Sequence, residues 1–201
     1  MKILLTEEEK TLYNEILSDF LNQIDGKIPE REEDLDDYED FSEKFLLFNG
    51  LTKIVLIPKD RTEKYVLKIP FSGRKDYCEI ESNYYKEAEE AGIEYMFAPE
   101  EEFNQNIIKY PIYIQLRVET DPSFFKKSSY RSEISEDNYD SMMEMGCCEE
   151  LIEQMALTYS EEDIEAFCSF VSENYINDIH EENYGYFGGR PVVFDYSGFS
   201  D

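Results

Sequence analysis

Apolar residues recur every three or four positions near the beginning of the chain, in "TEEEKTLYNEILSDFLNQI" (residues 6–24). This spacing is typical of a helix with one buried face. Thr6 and Glu9 stand three residues apart at its start, which is the register of a capping box. The pattern predicts an amphipathic helix that ends before Gly26. Its apolar face consists of Leu12, Ile16, Leu17, Phe20, Leu21 and Ile24.

Residues that favour β-strands dominate the next part of the chain. The runs 45–57 and 64–71 flank a "PKDRTE" segment and predict a β-hairpin. Residues 77–92 are helical in composition and end on a glycine that suits a C-cap. Residues 106–119 then predict one or two further strands. The acidic run 29–43, which precedes these elements, predicts a solvated linker because it has few apolar residues.

Two helices and a small hairpin are predicted towards the end of the chain. Apolar stripes at helical spacing run through residues 149–159 and 161–176, whereas residues 120–148 are polar and irregular. "YGYF" and "PVVF" then predict two short strands joined by "GGR", whose glycines suit a tight hairpin turn. The order of these elements predicts an α+β fold.

The charge of the chain limits its partners. Its 201 residues include 19 basic and 47 acidic side chains, which gives a net charge of −28. Such a field repels nucleic-acid phosphates and anionic membranes, so we expect no direct binding to either. Solubility explains the excess charge in general terms. A more specific hypothesis is an acidic surface that mimics DNA and engages a basic protein partner.

Cysteine and histidine are too sparse for a typical zinc site. The four cysteines have no CxxC spacing, and the chain has a single histidine. Reduced and mostly buried thiols are therefore predicted. "MKILLTEEEK" has only three consecutive apolar residues, too few for a signal peptide or a membrane-spanning run. We expect a cytoplasmic protein.

Polar residues concentrate near the end of the chain, in "NDIHEENYGYFGGRPVVFDYSGF" (residues 177–199). Asp178 precedes Asn183 by five residues, with His180 between them. Asp195 follows the predicted hairpin. This order resembles the catalytic loop and metal-binding segment of protein kinases and, more closely, the D-x-H-x-x-N loop of aminoglycoside-phosphotransferase-like enzymes.

The resemblance implies a role for each of these residues. Asn183 and Asp195 would hold Mg²⁺, which prefers oxygen ligands. Asp178 would accept or orient the proton of an acceptor hydroxyl. For His180 three alternatives stay open: it holds the loop by hydrogen bonds, it touches phosphate, or it is purely structural.

The first half of the chain has counterparts of a kinase N-lobe. "YVLKIP" resembles the strand whose lysine pairs with nucleotide phosphates, which implies this role for Lys68. Alternation along the strand would put Leu67 on the core side and Lys68 on the opposite side. The helix that follows should donate a glutamate to the lysine, and Glu81 is preferred over Glu79. The alternative is an ordinary strand lysine on a solvated face.

Two further segments correspond to nucleotide-binding elements of the same families. "LFNGLTKIVLI" stands where a phosphate-covering loop is expected, with Gly50 as its single glycine. "YIQLRVE" occupies the hinge position, where backbone groups from Gln115 to Val118 would contact a base. The resemblance covers about residues 45–198.

The resemblance implies a two-lobed kinase-like fold, with a small antiparallel β-sheet and one long helix in the N-lobe and a reduced, mostly helical C-lobe. Residues 1–44 would form an N-terminal helix and acidic linker, 45–119 the N-lobe and 120–201 the C-lobe. Only "YSGFSD" follows Asp195. Kinase domains normally continue there into helices that recognise the acceptor, so ordinary protein phosphorylation is less expected than nucleotide binding.

Two functions follow from these expectations. The first is a phosphotransferase that binds ATP and Mg²⁺ and phosphorylates a hydroxyl group of a small molecule or an unusual protein. The second is an inactive, pseudokinase-like binding or inhibitory module whose acidic surface engages a basic protein. The retained polar residues favour the first, whereas the reduced glycine loop and the short C-terminus favour the second.

Overall fold

The computed structural model describes residues 2–35, 42–120, 134–176, 179–180 and 182–197. In these residues the chain has an α+β architecture, as predicted. It divides into two compact units. The sheet unit comprises Lys2–Ser82 and Pro99–Arg117, and the helical unit comprises Asn83–Ala98 and the described residues from Val118 onwards. No helix in the described residues is long and apolar enough to cross a membrane.

A five-stranded antiparallel sheet forms the centre of the sheet unit, with the strand order β1-β2-β3-β5-β4. The strands are β1 (Phe45–Asn49), β2 (Lys53–Pro58), β3 (Tyr65–Pro70), β4 (Glu100–Glu102) and β5 (Tyr113–Leu116). The β2–β3 hairpin around "PKDRTE" is confirmed. The run 45–57 is two strands rather than one, because the chain turns at Gly50, whose N–H donates to the carbonyl of Lys53 at 3.0 Å.

Helix α1 (Glu7–Gln23) confirms the first predicted element. The Thr6 hydroxyl accepts from the Glu9 N–H at 3.1 Å, and the Glu9 carboxylate accepts from the Thr6 N–H at 2.8 Å. Gly26, at φ +71°, follows the last turn. The helix belongs to the same apolar core as the sheet, so residues ahead of Phe45 form part of this unit.

The sheet has two chemically different faces, because side chains alternate along each strand. Alternate residues of β2, β3 and β5 pack with α1 in one apolar core. They include Ile54, Leu56, Leu67, Ile69 and Ile114. The intervening residues point to the opposite face, where the charged side chains described below lie.

The helical unit contains the second apolar core. Helix α2 (Asp76–Ala91) begins in the sheet unit and ends in the helical unit. Gly92 follows its last residue with φ +76°, which confirms the predicted C-cap. The other elements are α3 (Glu136–Glu144), α4 (Glu149–Ala156), α5 (Glu161–Glu173), β6 (Tyr184–Phe187) and β7 (Arg190–Val193). Two short 3₁₀ helices, Glu32–Leu35 and Glu94–Met96, complete the described elements.

The last hairpin has the predicted position and turn. Gly188 and Gly189 join β6 to β7 with φ of 60° and 80°. Positive φ at both central residues is the requirement of a tight type I′ hairpin turn, which glycine meets at no steric cost. The hairpin therefore depends on the local sequence "GG".

Three other elements also differ from the sequence-based expectations. Helix α3 lies in a region expected to be irregular, and it has one buried apolar residue, Met142. Strand β4 is entirely acidic in sequence and was not predicted. The acidic run 29–43 is a linker only in part, because Leu35 is buried in the core of the sheet unit; residues 36–41 lie outside the described part.

Candidate functional site

Lys68 and Glu81 form a buried ion pair in the sheet unit. The Lys68 ammonium lies 2.9 Å from Glu81 Oε2, and the two side chains are 3% and 0% exposed. Strand alternation turns Lys68 away from the apolar core, which contains its neighbours Leu67 and Ile69. The expected contact is thus present, although its catalytic role stays a prediction.

Glu81 is the partner of Lys68 because of its position on α2. Cys78, Glu81, Tyr85 and Ala88 are buried at the three- and four-residue spacing of one helix face. Glu79, the alternative left open by the sequence, lies on another face and is exposed. The helix therefore presents a single carboxylate to the lysine.

Two further charged residues extend this pair. The Lys53 ammonium lies 2.7 Å from Glu81 Oε1, and the Lys68 ammonium also lies 3.0 Å from Glu100 Oε2. Gln115 donates from Nε2 to the same Glu100 oxygen at 2.9 Å. Lys53, Lys68, Glu81 and Glu100, called the ion cluster below, are all buried.

The register of the sheet explains how the ion cluster assembles. Lys68 is opposite Val55, two residues from Lys53, so both lysines project from one face. Gln115 is the partner of Glu100 across β5 and β4, and β5 pairs with β3 on its other side. Sequence reasoning missed Lys53 and Glu100, because their approach depends on strand pairing rather than on a local motif.

The two ammonium groups and two carboxylates of the ion cluster balance each other. Such compensation is what allows charges to be buried at tolerable cost, and loss of one partner leaves an unpaired buried charge. Cys78 lies beside the cluster, and burial raises the pKa of its thiol, which stays neutral. Glu100 Oε1 is buried and accepts no hydrogen bond from the residues that the structure describes.

Ligand atoms of Cys78, Glu81 and Glu100 lie within 4.8 Å of one another, which is close enough for metal ligation. The same carboxylates already contact two lysine ammonium groups at 2.7–3.0 Å. A metal ion here would be repelled by both, and a thiolate ligand would require the buried thiol to lose its proton. The arrangement therefore favours the lysines over a metal.

The polar residues near the C-terminus lie in the helical unit. Asp178 lies outside the described residues. Asn183 is buried, and its carbonyl accepts from the Phe194 N–H at 3.0 Å. This bond extends the β6–β7 pairing by one residue beyond Tyr184 and Val193. The hairpin thus brings Asn183 opposite the residue that precedes Asp195.

Asp195 is half-buried, and the next residue, Tyr196, is held in place by packing and a hydrogen bond. The Tyr196 side chain is fully buried, and its hydroxyl donates to the carbonyl of Ala98 at 2.9 Å. Its ring also packs edge-on against Phe97, with ring centroids 5.2 Å apart. These contacts restrict the backbone next to the carboxylate.

His180 contacts the same loop. Its Nδ1 accepts from the Glu182 N–H at 3.2 Å. The other ring nitrogen, Nε2, lies 3.2 Å from Nδ2 of the Asn183 side chain. This geometry favours the first of the three alternatives for His180, in which it holds the loop.

The three residues predicted to contact the nucleotide, Gly50, Gln115 and Val118, differ from one another in their surroundings. Gly50 lies in the exposed β1–β2 turn, where an added Cβ would meet nothing within 4 Å. Gln115 lies inside the sheet between β3 and β4, and its side chain bonds Glu100. Val118 is half-buried, and its Cγ2 would lie 2.8 Å from a Cβ added to Gly185. The predicted hinge thus spans the point at which the chain passes from one unit to the other.

No protein-family model, curated protein or solved structure matches the chain.

Proposed function

We propose that the protein binds Mg-ATP and transfers the γ-phosphate to a hydroxyl group of a small molecule or an unusual protein. The observation that carries this proposal is the Lys68–Glu81 ion pair. These residues belong to different elements, 13 positions apart, and the kinase resemblance alone led us to expect their contact. The strand order, the antiparallel pairing and the single α-helix between β3 and β4 agree with the proposed N-lobe.

In this proposal the sheet unit supplies the groups that bind the nucleotide. Lys68 pairs with phosphate oxygens, and Glu81 orients its ammonium. Gly50 contributes backbone at the phosphates, and the segment from Gln115 to Val118 contributes backbone at the base. Gln115 is paired on both sides within the sheet, and the N–H groups of Leu116 and Arg117 donate to the carbonyls of Pro99 at 2.9 Å and Lys64 at 2.7 Å. The proposed backbone contact with the base is therefore assigned to Val118.

The helical unit supplies the proposed metal ligands. Asn183 and Asp195 offer amide and carboxylate oxygens, which suit Mg²⁺, and the β6–β7 hairpin holds their backbones close together. Bound Mg²⁺ would neutralise phosphate charge during transfer. Asp178 accepts or orients the proton of the acceptor hydroxyl, and His180 orients Asn183 through its ring.

A second candidate function is an inactive binding module that engages a basic protein. One specific observation favours it: Lys68 contacts two carboxylates, so its charge is already compensated without a phosphate. The net charge of −28 would provide the attraction for a basic partner. This candidate predicts a folded protein that is indifferent to Mg-ATP.

Thermal unfolding with and without Mg-ATP tests the proposed function. Ligand at 100 times its dissociation constant stabilises a protein by about 2.7 kcal/mol. For a chain of this size the melting temperature should rise by about 5–11 °C. The rise should require Mg²⁺ and should be lost in Asp195→Asn but kept in Asp140→Asn, which makes the same charge change at an exposed position of α3.

The outcomes separate the two candidates. If millimolar Mg-ATP does not shift the wild-type melting temperature, nucleotide binding is refuted and the partner-binding module is favoured. If Asp195→Asn shifts as much as the wild type, the proposed metal ligand is wrong. Release of ADP that disappears in Asp178→Asn would identify an enzyme, whereas binding without turnover would identify an inactive nucleotide-binding module.

A further inference from the structure

Lys68 lies between two buried carboxylates. Its ammonium is 2.9 Å from Glu81 Oε2 and 3.0 Å from Glu100 Oε2. The Glu100 side chain is 0% exposed, so water does not screen this contact. A lysine that only needs an orienting glutamate requires one such partner, and the second carboxylate calls for an explanation.

We propose that Glu100 competes with nucleotide phosphate for the Lys68 ammonium and thereby lowers the affinity of the site for Mg-ATP. This inference rests on the proposed function and adds a residue that sets its affinity. Glu100 is a positioning residue, because it acts through Lys68 and does not touch the nucleotide.

The competition follows from the chemistry of the two anions. A lysine ammonium has three donors on one compact charge, and carboxylate and phosphate oxygens are equivalent acceptors for it. When Lys68 turns towards a phosphate, it weakens its contact with Glu100. Glu100 then keeps the neutral amide of Gln115 as a donor. A buried carboxylate that loses its cation is strongly disfavoured, and this cost is subtracted from nucleotide binding.

Because of Lys53, the cost of losing a compensating charge applies to Glu100 and not to Glu81. The Lys53 ammonium contacts Glu81 Oε1 at 2.7 Å, whereas Lys68 contacts the other oxygen. Glu81 therefore keeps a cation when Lys68 moves, and α2 stays bound to the sheet. The two carboxylates of the ion cluster thus differ in function: Glu81 has a second lysine, and Glu100 depends on Lys68 for its compensating charge among the contacts described above.

Glu100→Gln tests the proposal, because glutamine has the same shape without the charge. We expect it to bind Mg-ATP about tenfold more tightly than the wild type, within the usual range for coupled sites. The dissociation constants are measured by calorimetric titration of the full chain. Glu102→Gln is the matched control, since it removes the same charge from an exposed position of the same strand and should change the affinity less than about twofold.

A purely structural role for Glu100 predicts a different result, namely an unchanged or weaker affinity together with lower stability. Equal binding by wild type and Glu100→Gln overturns the inference and leaves the proposed function intact. Equal gains in Glu100→Gln and Glu102→Gln overturn it as well, because they indicate an effect of total charge. Absence of binding in wild type and Glu100→Gln refutes the proposed function and the inference together.

A second measurement applies if circular dichroism shows that Glu100→Gln does not fold. The lysine ammonium signals of the wild type are then followed by ¹⁵N NMR during titration with Mg-ATP. The Lys68 signal is assigned by its disappearance in Lys68→Arg. It should shift as nucleotide binds, because the ammonium exchanges Glu100 for phosphate. A Lys68 signal that stays constant while nucleotide binds overturns the inference.

Discussion

Lys68→Met removes one of the two ammonium groups of the ion cluster while keeping a side chain of similar length. The remaining charges are those of Lys53, Glu81 and Glu100, so the buried cluster changes from neutral to a net charge of −1. Lys53 still compensates Glu81. The unpaired charge is therefore expected on Glu100, whose side chain is 0% exposed and which keeps the Gln115 amide.

The magnitude follows from this burial. Removal of one partner from a buried ion pair costs about 3–5 kcal/mol, because the other charge stays without compensation. For a chain of this size the melting temperature should fall by about 6–20 °C. The double variant Lys68→Met/Glu100→Gln removes both charges and leaves the neutral Lys53–Glu81 pair. It should recover about 2 kcal/mol of the loss, as expected for residues in direct contact.

Urea unfolding followed by circular dichroism measures the free energies of the wild type, the two single variants and the double variant. Lys64→Met is the matched control, because this lysine is 69% exposed and lies 3.8 Å from Glu9. An exposed ion pair of this kind contributes less than about 1 kcal/mol. The control therefore separates the effect of burial from the loss of a positive charge in an acidic protein.

Two results would refute this reasoning. If Lys68→Met costs no more than Lys64→Met, the ion cluster is not buried in the way described. If the effects of Lys68→Met and Glu100→Gln are additive, these two side chains do not interact, and the competition proposed for Glu100 loses its basis as well.

Two other predictions concern the stability of the helical unit, and one of them uses a glycine of the β1–β2 turn as its control. Gly185→Ala should lower the free energy of unfolding by about 1–3 kcal/mol, because the added Cβ would lie 2.8 Å from a backbone carbonyl. Gly50→Ala, where the added Cβ meets nothing within 4 Å, should change it by less than about 1 kcal/mol. Similar losses of unfolding free energy in the two variants, measured by urea unfolding, would contradict this prediction. Tyr95→Phe should cost about 1 kcal/mol at pH 7, because the hydroxyl donates to Asp163 at 2.5 Å and lowers the pKa of that carboxyl. A carboxyl whose pKa is lower in the folded state stabilises the protein at pH values above its unfolded pKa, so the difference in unfolding free energy between wild type and Tyr95→Phe should disappear as the pH falls below about 4. Urea unfolding at a series of pH values measures this difference, and a constant difference would refute the assignment.

Elements defined by local signals were predicted from the sequence. The capping box at Thr6 and Glu9, the stripe of α5 and the glycine pair of the last hairpin each depend on residues close together in the chain. Helix α3 was missed because its signal is the N-cap at Ser135 rather than an apolar stripe. Strand β4 was missed because three consecutive glutamates have low strand propensity, and only pairing with β5 makes them a strand.

The candidate site was predictable in part. A resemblance in short motifs predicted a contact of Lys68 with Glu81, with Glu79 as the alternative, and the structure places Glu81 at Lys68 and leaves Glu79 exposed. Lys53 and Glu100 have no local signal that separates them from the many other charged residues of this chain. Their proximity to Lys68 required the observed strand order and register.

The sequence by itself determined where α1 and α5 begin and where the last hairpin turns, because caps, stripes and glycine turns act over a few residues. It also determined the strongly acidic charge. Only the tertiary structure decided which charges are buried together. The ion cluster joins β2, β3, β4 and α2. Its members meet only when the strands, including β5 between β3 and β4, are paired in register and the helix lies beside them, and each charge is tolerated only because the others are present.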